Sequence, residues 1–366
     1  MLKVIDVVYY SHSDIYKPQL VLNIHAPASG FAAFIKDRVD FQFVKHLNYE
    51  GTESMDGIKY SFFKSRNHFW YIPFKTHRYI KSQRPDIVIV EGLIFPVQLI
   101  VLKLQLGKQV RIIVQHHGEK PFTGIKKMFQ RIADKCIDTY LFTSKENAKA
   151  WIHKKIIIIK DKCEEVLEAS TYLTRQDKLK SQTNVGMNGS QNFLWVGRLD
   201  ALKDPVTVLN AFERFAMSNL SAKLYMIYQS GNEIESVHKI IGQSLVLKDA
   251  VKLVGKVDHD KLADWYSAAS FYISGSHREG SSYTLLEAMA CGCIPVVTDI
   301  PSLRKMTADG NYGFLYPPGN VEALVEIFNV LQKTGINEYS LSVENYFNQH
   351  LSFRNIADDL YNIFTA

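Results

Sequence analysis

No apolar run of eighteen or more residues occurs in this 366-residue chain, so the sequence predicts no bilayer-spanning helix. There are only four cysteines, Cys136, Cys163, Cys291 and Cys293, and their spacings match no zinc site. The Cys-Gly-Cys pair at 291–293 is too close for an ordinary disulfide, so all four are expected to be reduced. There is no block of like charge and no low-complexity tract, and 46% of residues are hydrophobic, which argues against disorder. No Gly-x-Gly-x-x-Gly follows an apolar run, which counts against a dinucleotide-dependent oxidoreductase. The opening MLKVIDVVYY carries Asp6 and no small-residue cleavage site, so a signal peptide is not expected. These readings point to a cytoplasmic protein, long enough for two ordinary cores.

Charge is unevenly placed. Residues 1–185 hold 29 Lys and Arg against 18 Asp and Glu, net +11; residues 186–366 hold 14 against 19, net −5. A basic first half suits an anionic substrate or a membrane surface. Nucleic acid is not expected, because no recognition motif accompanies the charge.

Short β-branched runs recur, each followed by a longer helical stretch. In the first half they lie at 86–93, 109–118 and 138–144; in the second at 191–199, 222–231, 250–257, 269–276 and 293–300. That alternation predicts an α/β protein with parallel sheets covered on both faces. The polar stretch 174–191 contains two glycines and no period, and reads as a linker. The expected division is a domain over 1–185, a second over 186–345, and a C-terminal helix within 346–366 that crosses back to the first. Ile356, Leu360 and Ile363 give that helix its apolar spacing.

Motifs of the second half fall just after strands, where ligands of open α/β sheets bind. SHREGSSYTLLEAMACGCIPVV, 276–297, sets Glu279 and Glu287 eight positions apart. Ser281 and Ser282 precede a strong helix sequence, and a helix start suits a phosphate or diphosphate. Carboxylates on either side of an anion pocket would repel it unless they accepted hydrogen bonds from hydroxyls, which a sugar supplies. VGRLDALKD, 196–204, ends a strand at Gly197 and then offers Arg198 and Lys203, a planar fork and a mobile point charge for phosphate oxygens.

With these residues in place, the second half resembles the donor-binding domain of the retaining, two-domain GT-B glycosyltransferases, the "glycosyl transferases group 1" family. That family includes bacterial mannosyl-, glucosyl- and N-acetylglucosaminyltransferases and sucrose-phosphate synthases. Its E-x7-E with a following EAMACG segment matches Glu279, Glu287 and the residues after them, and its VGRL with a later Lys matches Gly197, Arg198 and Lys203. The stretch 253–276 is also similar. The resemblance covers roughly 191–330 and implies a GT-B fold, two doubly wound Rossmann-like domains facing across a cleft. It implies that Arg198 and Lys203 bind the diphosphate of a nucleotide sugar, that Glu287 takes the ribose hydroxyls and that Glu279 reaches the donor sugar. The backbone at Gly255 and Val257 would meet the base, and Gly280, Ser281 and Ser282 the phosphate. The usual EGFG is Glu-Gly-Ser-Ser here, a departure that removes an aromatic and a glycine. His277 and Arg278 are weaker candidates.

In the first half VQHHGEKPF, 114–122, follows a strand where the family's acceptor domain often carries a His. His117 is the expected acceptor-side and catalytic residue, with His116 behind it. The family's glycine-rich turn after the first strand is missing from 9–18, and the segment around Gly30 is a poor substitute. Basic and aromatic residues mix at 62–81 and 123–135, and these could lie on a membrane near a lipid-linked acceptor. For 123–135 the better expectation is an ordinary helix whose apolar face packs on its own sheet.

By resemblance, then, the chain transfers a sugar with retention from a nucleoside diphosphate donor to a hydroxyl on a glycan or lipid-linked acceptor, with Glu279, His117, Arg198 and Lys203 as the catalytic set. A bacterial polysaccharide or surface-glycan pathway is the expected setting. No metal or other cofactor is expected, because the cations replace it. A GT-B epimerase or phosphorylase, or a non-catalytic nucleotide-sugar-binding subunit, are the alternatives.

Overall fold

The computed structural model describes residues 1–12, 14–189, 191–332 and 335–366. The chain divides into two units, residues 1–170 with 353–366, and residues 171–352.

The first unit is built on an eight-stranded sheet ordered β3-β4-β2-β1-β5-β6-β7-β8. Its strands are β1 Lys3–His12, β2 Asp40–Leu47, β3 Gly51–Met55, β4 Ile58–Phe63, β5 Ile87–Glu91, β6 Arg111–Gln115, β7 Thr139–Phe142 and β8 Cys163–Glu165. All neighbours are parallel except β3 and β4, a hairpin that turns at Asp56-Gly57, both with positive φ. Strand order reverses between β1 and β5, which pair with Val8 opposite Glu91. Such a reversal is where an open sheet leaves room for a ligand. The stretch 9–18, expected to turn after the first strand, is still β1 as far as His12, and Ser13 lies outside the described residues.

Gly30 serves packing and not a ligand turn. A Cβ there would lie 2.5 Å from the Phe353 ring, so glycine lets the helix Phe353–Thr365 seat Phe353, Ile356 and Leu360 in the first core. The terminal helix expected within 346–366, near 352–364, is Phe353–Thr365, while residues 346–350 belong to the helix before it. Ile336–His350 ends at Leu351, whose φ of −121° breaks it, and lies in the second unit; only the following helix joins the first.

The second unit carries a six-stranded, all-parallel sheet ordered β11-β10-β9-β12-β13-β14. The strands are β9 Gln191–Val196, β10 Ala222–Ile227, β11 Val251–Gly255, β12 Phe271–Ser274, β13 Ile294–Thr298 and β14 Phe314–Tyr316. Its reversal falls between β9 and β12. Phe193, Phe212, Phe215, Phe271 and Phe328 pack at its centre, mostly edge to face, with ring centroids 5.1–6.2 Å apart.

Two expectations need correction. The linker at 174–191 contains a helix, Lys178–Val185, and belongs to the second unit; Ser190 lies outside the described residues. Asp177 caps it by accepting from the Lys180 N–H at 2.8 Å, and Gly186 closes it in the left-handed region. Buried Ser181 ties it to Asp264 at 2.7 Å. The expected division at 185/186 therefore moves to 170/171.

The second correction is the helix Gly124–Ala133, which does not bury its apolar stripe. Ile125, Met128 and Ile132 are 64%, 50% and 41% exposed. The side turned inward is that of Gln130 and Ala133, because the Gln130 amide is bonded twice, accepting from the Phe122 N–H and donating to the Leu93 carbonyl at 2.9 Å each.

Candidate active site

In the second unit both motifs hang from the strands that flank the reversal. After β9 the chain runs Gly197, Arg198, Leu199, Asp200, and the Asp200 carboxylate accepts from the Leu202 and Lys203 N–H groups at 3.1 and 3.0 Å. Asp204, in the left-handed region at φ 43°, caps the next helix by accepting from the Thr207 N–H. After β12 comes Gly275, where a Cβ would lie 2.7 Å from the Asp204 carbonyl oxygen. Glycine thus lets the two backbones touch, and the His277 N–H donates to the Leu202 carbonyl at 2.9 Å to hold them there. Residues seventy positions apart become neighbours by this contact.

Lys203 Nζ donates to Glu279 Oε1, which also accepts from the Ser276 hydroxyl at 2.7 Å. Both side chains are mostly buried, at 20% and 13% exposure. Ser302 donates to the Glu279 carbonyl at 3.1 Å. Arg198 is different: it is 61% exposed and, among the described residues, its side chain pairs with Asp200 at 3.2 Å. One cation is therefore placed in advance, and the other is free to turn toward an anion.

Glu287 projects from the middle of the helix Tyr283–Ala290 and is buried. Its Oε2 accepts from the Tyr266 hydroxyl at 2.9 Å and its Oε1 meets His259 Nε2 at 2.8 Å. The hydrogen bond to Glu287 raises the pKa of His259 despite partial burial. Ser281 and Ser282 are buried at the start of this helix, and Ser282 Oγ lies 3.3 Å from Thr284 Oγ1. Gly255 ends β11 at φ 82° and its carbonyl takes the Tyr228 N–H; Val257 is half-buried two residues on. His277 pairs with Asp204 at 2.9 Å. The loop after β11 also holds an Asp-x-Asp triplet, Asp258 to Asp260, with both carboxylates exposed; among the described residues no group of three or more His, Cys, Asp or Glu could hold a metal ion.

The first unit has a site of its own at its strand ends. His117 is gripped at both ring nitrogens, Nε2 by Glu91 at the end of β5 and Nδ1 by Glu168 after β8. Burial works against a charged ring, but the two carboxylates outweigh it and push the His117 pKa well above its usual range. Behind them lie Asp6 on β1 and Lys45 on β2, each 3% exposed. Burial, with Glu91 beside it, raises Asp6, and burial also lowers Lys45. Glu119 fastens the loops, accepting from the His117 N–H at 2.7 Å and the Leu93 N–H at 3.0 Å. His116 is turned into the core against Phe142 and Trp151, with Nδ1 accepting from the Gly118 N–H at 3.2 Å. Burial lowers its pKa. It shapes the loop and presents nothing to a ligand.

Sequence reasoning missed Tyr266, His259, Ser276, Glu91, Glu168 and Glu119. The one available signal was a charge inside an apolar run: Asp6 in KVIDVVYY and Lys45 in FQFVKHL.

Residues 177–341 match the family model described as glycosyl transferases group 1. Among curated relatives, a D-inositol 3-phosphate glycosyltransferase of Streptosporangium roseum is 32% identical over 129 residues, 33% of this chain and 30% of its own length. An alpha-monoglucosyldiacylglycerol synthase of Streptococcus pneumoniae is 27% identical over 174 residues, 47% of this chain and 39% of its own. The chain thus spans about a third of the length of the relatives it matches. Among solved structures, the sucrose-phosphate synthase of Thermosynechococcus elongatus superposes with a TM-score of 0.73 at 14% identity, over 99% of this chain and 98% of that one. Anabaena HepE, in complex with UDP, does so at 0.74 and 13%, over 100% of both. Residues 177–341 are thus similar to the glycosyl transferases group 1 family, and the fold of the chain is GT-B.

Proposed function

We propose that this protein transfers a sugar, with retention of configuration and without a metal, from a nucleoside diphosphate donor to a hydroxyl acceptor. The observation that carries the reading is the juxtaposition, in the second unit, of Arg198, the Lys203–Glu279 pair and the helix start at Ser282, with Glu287 one turn further along. Arg198, Lys203 and the helix start oppose the charge that builds on a departing diphosphate, the role a metal would otherwise fill. Glu279 is already bound to Lys203 and Ser276, which favours a part in orienting the sugar over one as a free nucleophile. The leaving diphosphate then takes the acceptor proton as the hydroxyl attacks from the same face. Glu287 receives ribose hydroxyls once exposed His259 swings off Oε1, while Tyr266 steadies Oε2. HepE has been seen with UDP and with UDP-glucose, which supports a donor of that chemical class here.

The acceptor reading is a hydroxyl on a glycan or a lipid-linked sugar, in surface-glycan synthesis on the cytoplasmic face of a membrane. Two observations support the lipid side. One relative is a synthase of a glucosylated diacylglycerol. The exposed stripe Ile125, Met128 and Ile132 adjoins Lys126, Lys127 and Arg131, and Phe129 in the same helix packs on half-exposed Trp70 with ring centroids 5.0 Å apart. Apolar side chains ringed by lysines suit an anionic bilayer surface. No helix among the described residues is long and apolar enough to cross a membrane.

The test is thermal stability against UDP, GDP, ADP, TDP and CMP, with Arg198→Ala as control. A nucleotide at about 100 times its dissociation constant stabilises the fold by about 2.7 kcal/mol. One nucleotide is expected to raise the midpoint of the wild type and not of the variant. No shift with any of them would remove the donor-site reading.

A further inference from the structure

The charge cluster of the first unit costs more than a fold needs. Asp6, Lys45, Glu91, His117 and Glu168 come from β1, β2 and the ends of β5, β6 and β8, and all but His117 are largely out of solvent. Replacing buried ion networks with apolar side chains is often neutral or stabilising, so such a network is weak evidence of a structural role. It sits where the strand order reverses, with Glu91 opposite Val8. Asp6, whose buried Oδ1 has no hydrogen-bond partner among the described residues, lines a small pocket with Glu91, Gln115 and Glu168.

We propose that Glu91 and Glu168 are positioning residues that grip His117 by both ring nitrogens, so that the acceptor side meets its ligand with a fixed hydrogen-bond donor and not with a base. The inference rests on the acceptor-side role given to His117 above. Glu168 is the buried jaw, with 5% side-chain exposure, and Glu91 the accessible one, with 18%. A ligand therefore displaces Glu91 from Nε2 while Nδ1 stays on Glu168. The group that inserts between an imidazolium N–H and a carboxylate must accept from the first and donate to the second. A hydroxyl does both, whereas a phosphate or carboxylate would face Glu91 with like charge. The subsite therefore selects a neutral polyol face of a sugar. His117 also feels Asp6 from the sheet and His116 and Glu119 from its own loop, while Lys45 faces Asp6 and Glu91.

The experiment is an NMR pH titration of the histidine rings in the full chain, with His117 assigned by its loss in His117→Gln. The wild-type ring is expected to stay protonated well above the ordinary value of about 6.5. Glu168→Gln should lower its midpoint by about one unit or more, and Glu91→Gln serves the same purpose if that variant does not fold. A wild-type midpoint near the ordinary value, or no movement in a folded variant, overturns the clamp. Sugar transfer by Glu168→Gln should gain an alkaline fall in kcat that the wild type lacks, recovered at lower pH with donor KM unchanged. A loss independent of pH would make Glu168 merely structural and overturn the proposal. Absence of transfer by the wild type itself removes the glycosyltransferase reading, while the ring titration still decides the clamp.

Discussion

At the strand reversal of the second sheet, Arg198 is 61% exposed and Lys203 has one carboxylate partner; at that of the first, Asp6 and Lys45 are buried and His117 is held from both sides. The first arrangement leaves charge able to regroup when an anion arrives. The second holds its ring in one orientation through buried Glu168 and leaves only the more accessible Glu91 able to yield. A donor that enters and leaves with a changing charge suits the former, and a neutral hydroxyl that needs orientation suits the latter. The same kind of strand end thus yields a responsive site in one unit and a rigid one in the other.

Three experiments test that contrast. The largest effect is expected from Lys203→Ala, which removes a preplaced cation and should lower kcat by about 10²–10³ with the fold intact. Turnover within a few-fold of wild type would deny the second site its electrostatic role.

Next is acid. In the first unit His46 and His77 are buried, and burial lowers both to about 4; the Nδ1–H of His46 donates to the Val8 carbonyl at 2.8 Å. A depressed histidine contributes stability that is present above its unfolded value of about 6.5 and lost as pH falls toward 4. The His117 pair, raised instead, keeps its contribution through that window. All four histidines of the second unit, His238, His259, His277 and His350, are exposed. The first unit should therefore lose on the order of a few kcal/mol between pH 6.5 and 4 while the second loses less. Amide exchange resolved by unit at pH 7 and pH 5 measures this, and equal acid loss in the two units would contradict it.

The smallest expected effect lies at the surface. Ile125→Asp with Met128→Asp should weaken sedimentation with phosphatidylglycerol vesicles by about tenfold, leaving nucleotide binding alone. Equal sedimentation of both proteins would leave the exposed stripe without a lipid role.

The two halves were unequally legible in the sequence. In the second, the proposed site uses residues close together along the chain, Gly197 to Lys203 and Glu279 to Glu287, so their spacing was visible in the sequence. The eight strand segments read from β-branched runs all contain strands. In the first half the site is assembled from Asp6, Lys45, Glu91, His117 and Glu168, each alone in its segment, and only the fold brings them together. The helix at 178–185 was hidden for another reason: its signals are its caps, Asp177 and Gly186, and its polar face has almost no apolar period. The stripe on 124–133 was periodic but misread, because a bonded glutamine and not the apolar face decides which side turns inward.

One carboxylate in the first unit has a mechanical consequence. Glu119 accepts from the amide of Leu93 with one oxygen and from that of His117 with the other, bridging the loops that follow β5 and β6. Those loops cannot fluctuate separately without breaking a charge-assisted bond. Any excursion of the His117 loop must carry Gly92 and Leu93 with it, so the two segments share one timescale, and a ligand that stills one stills both.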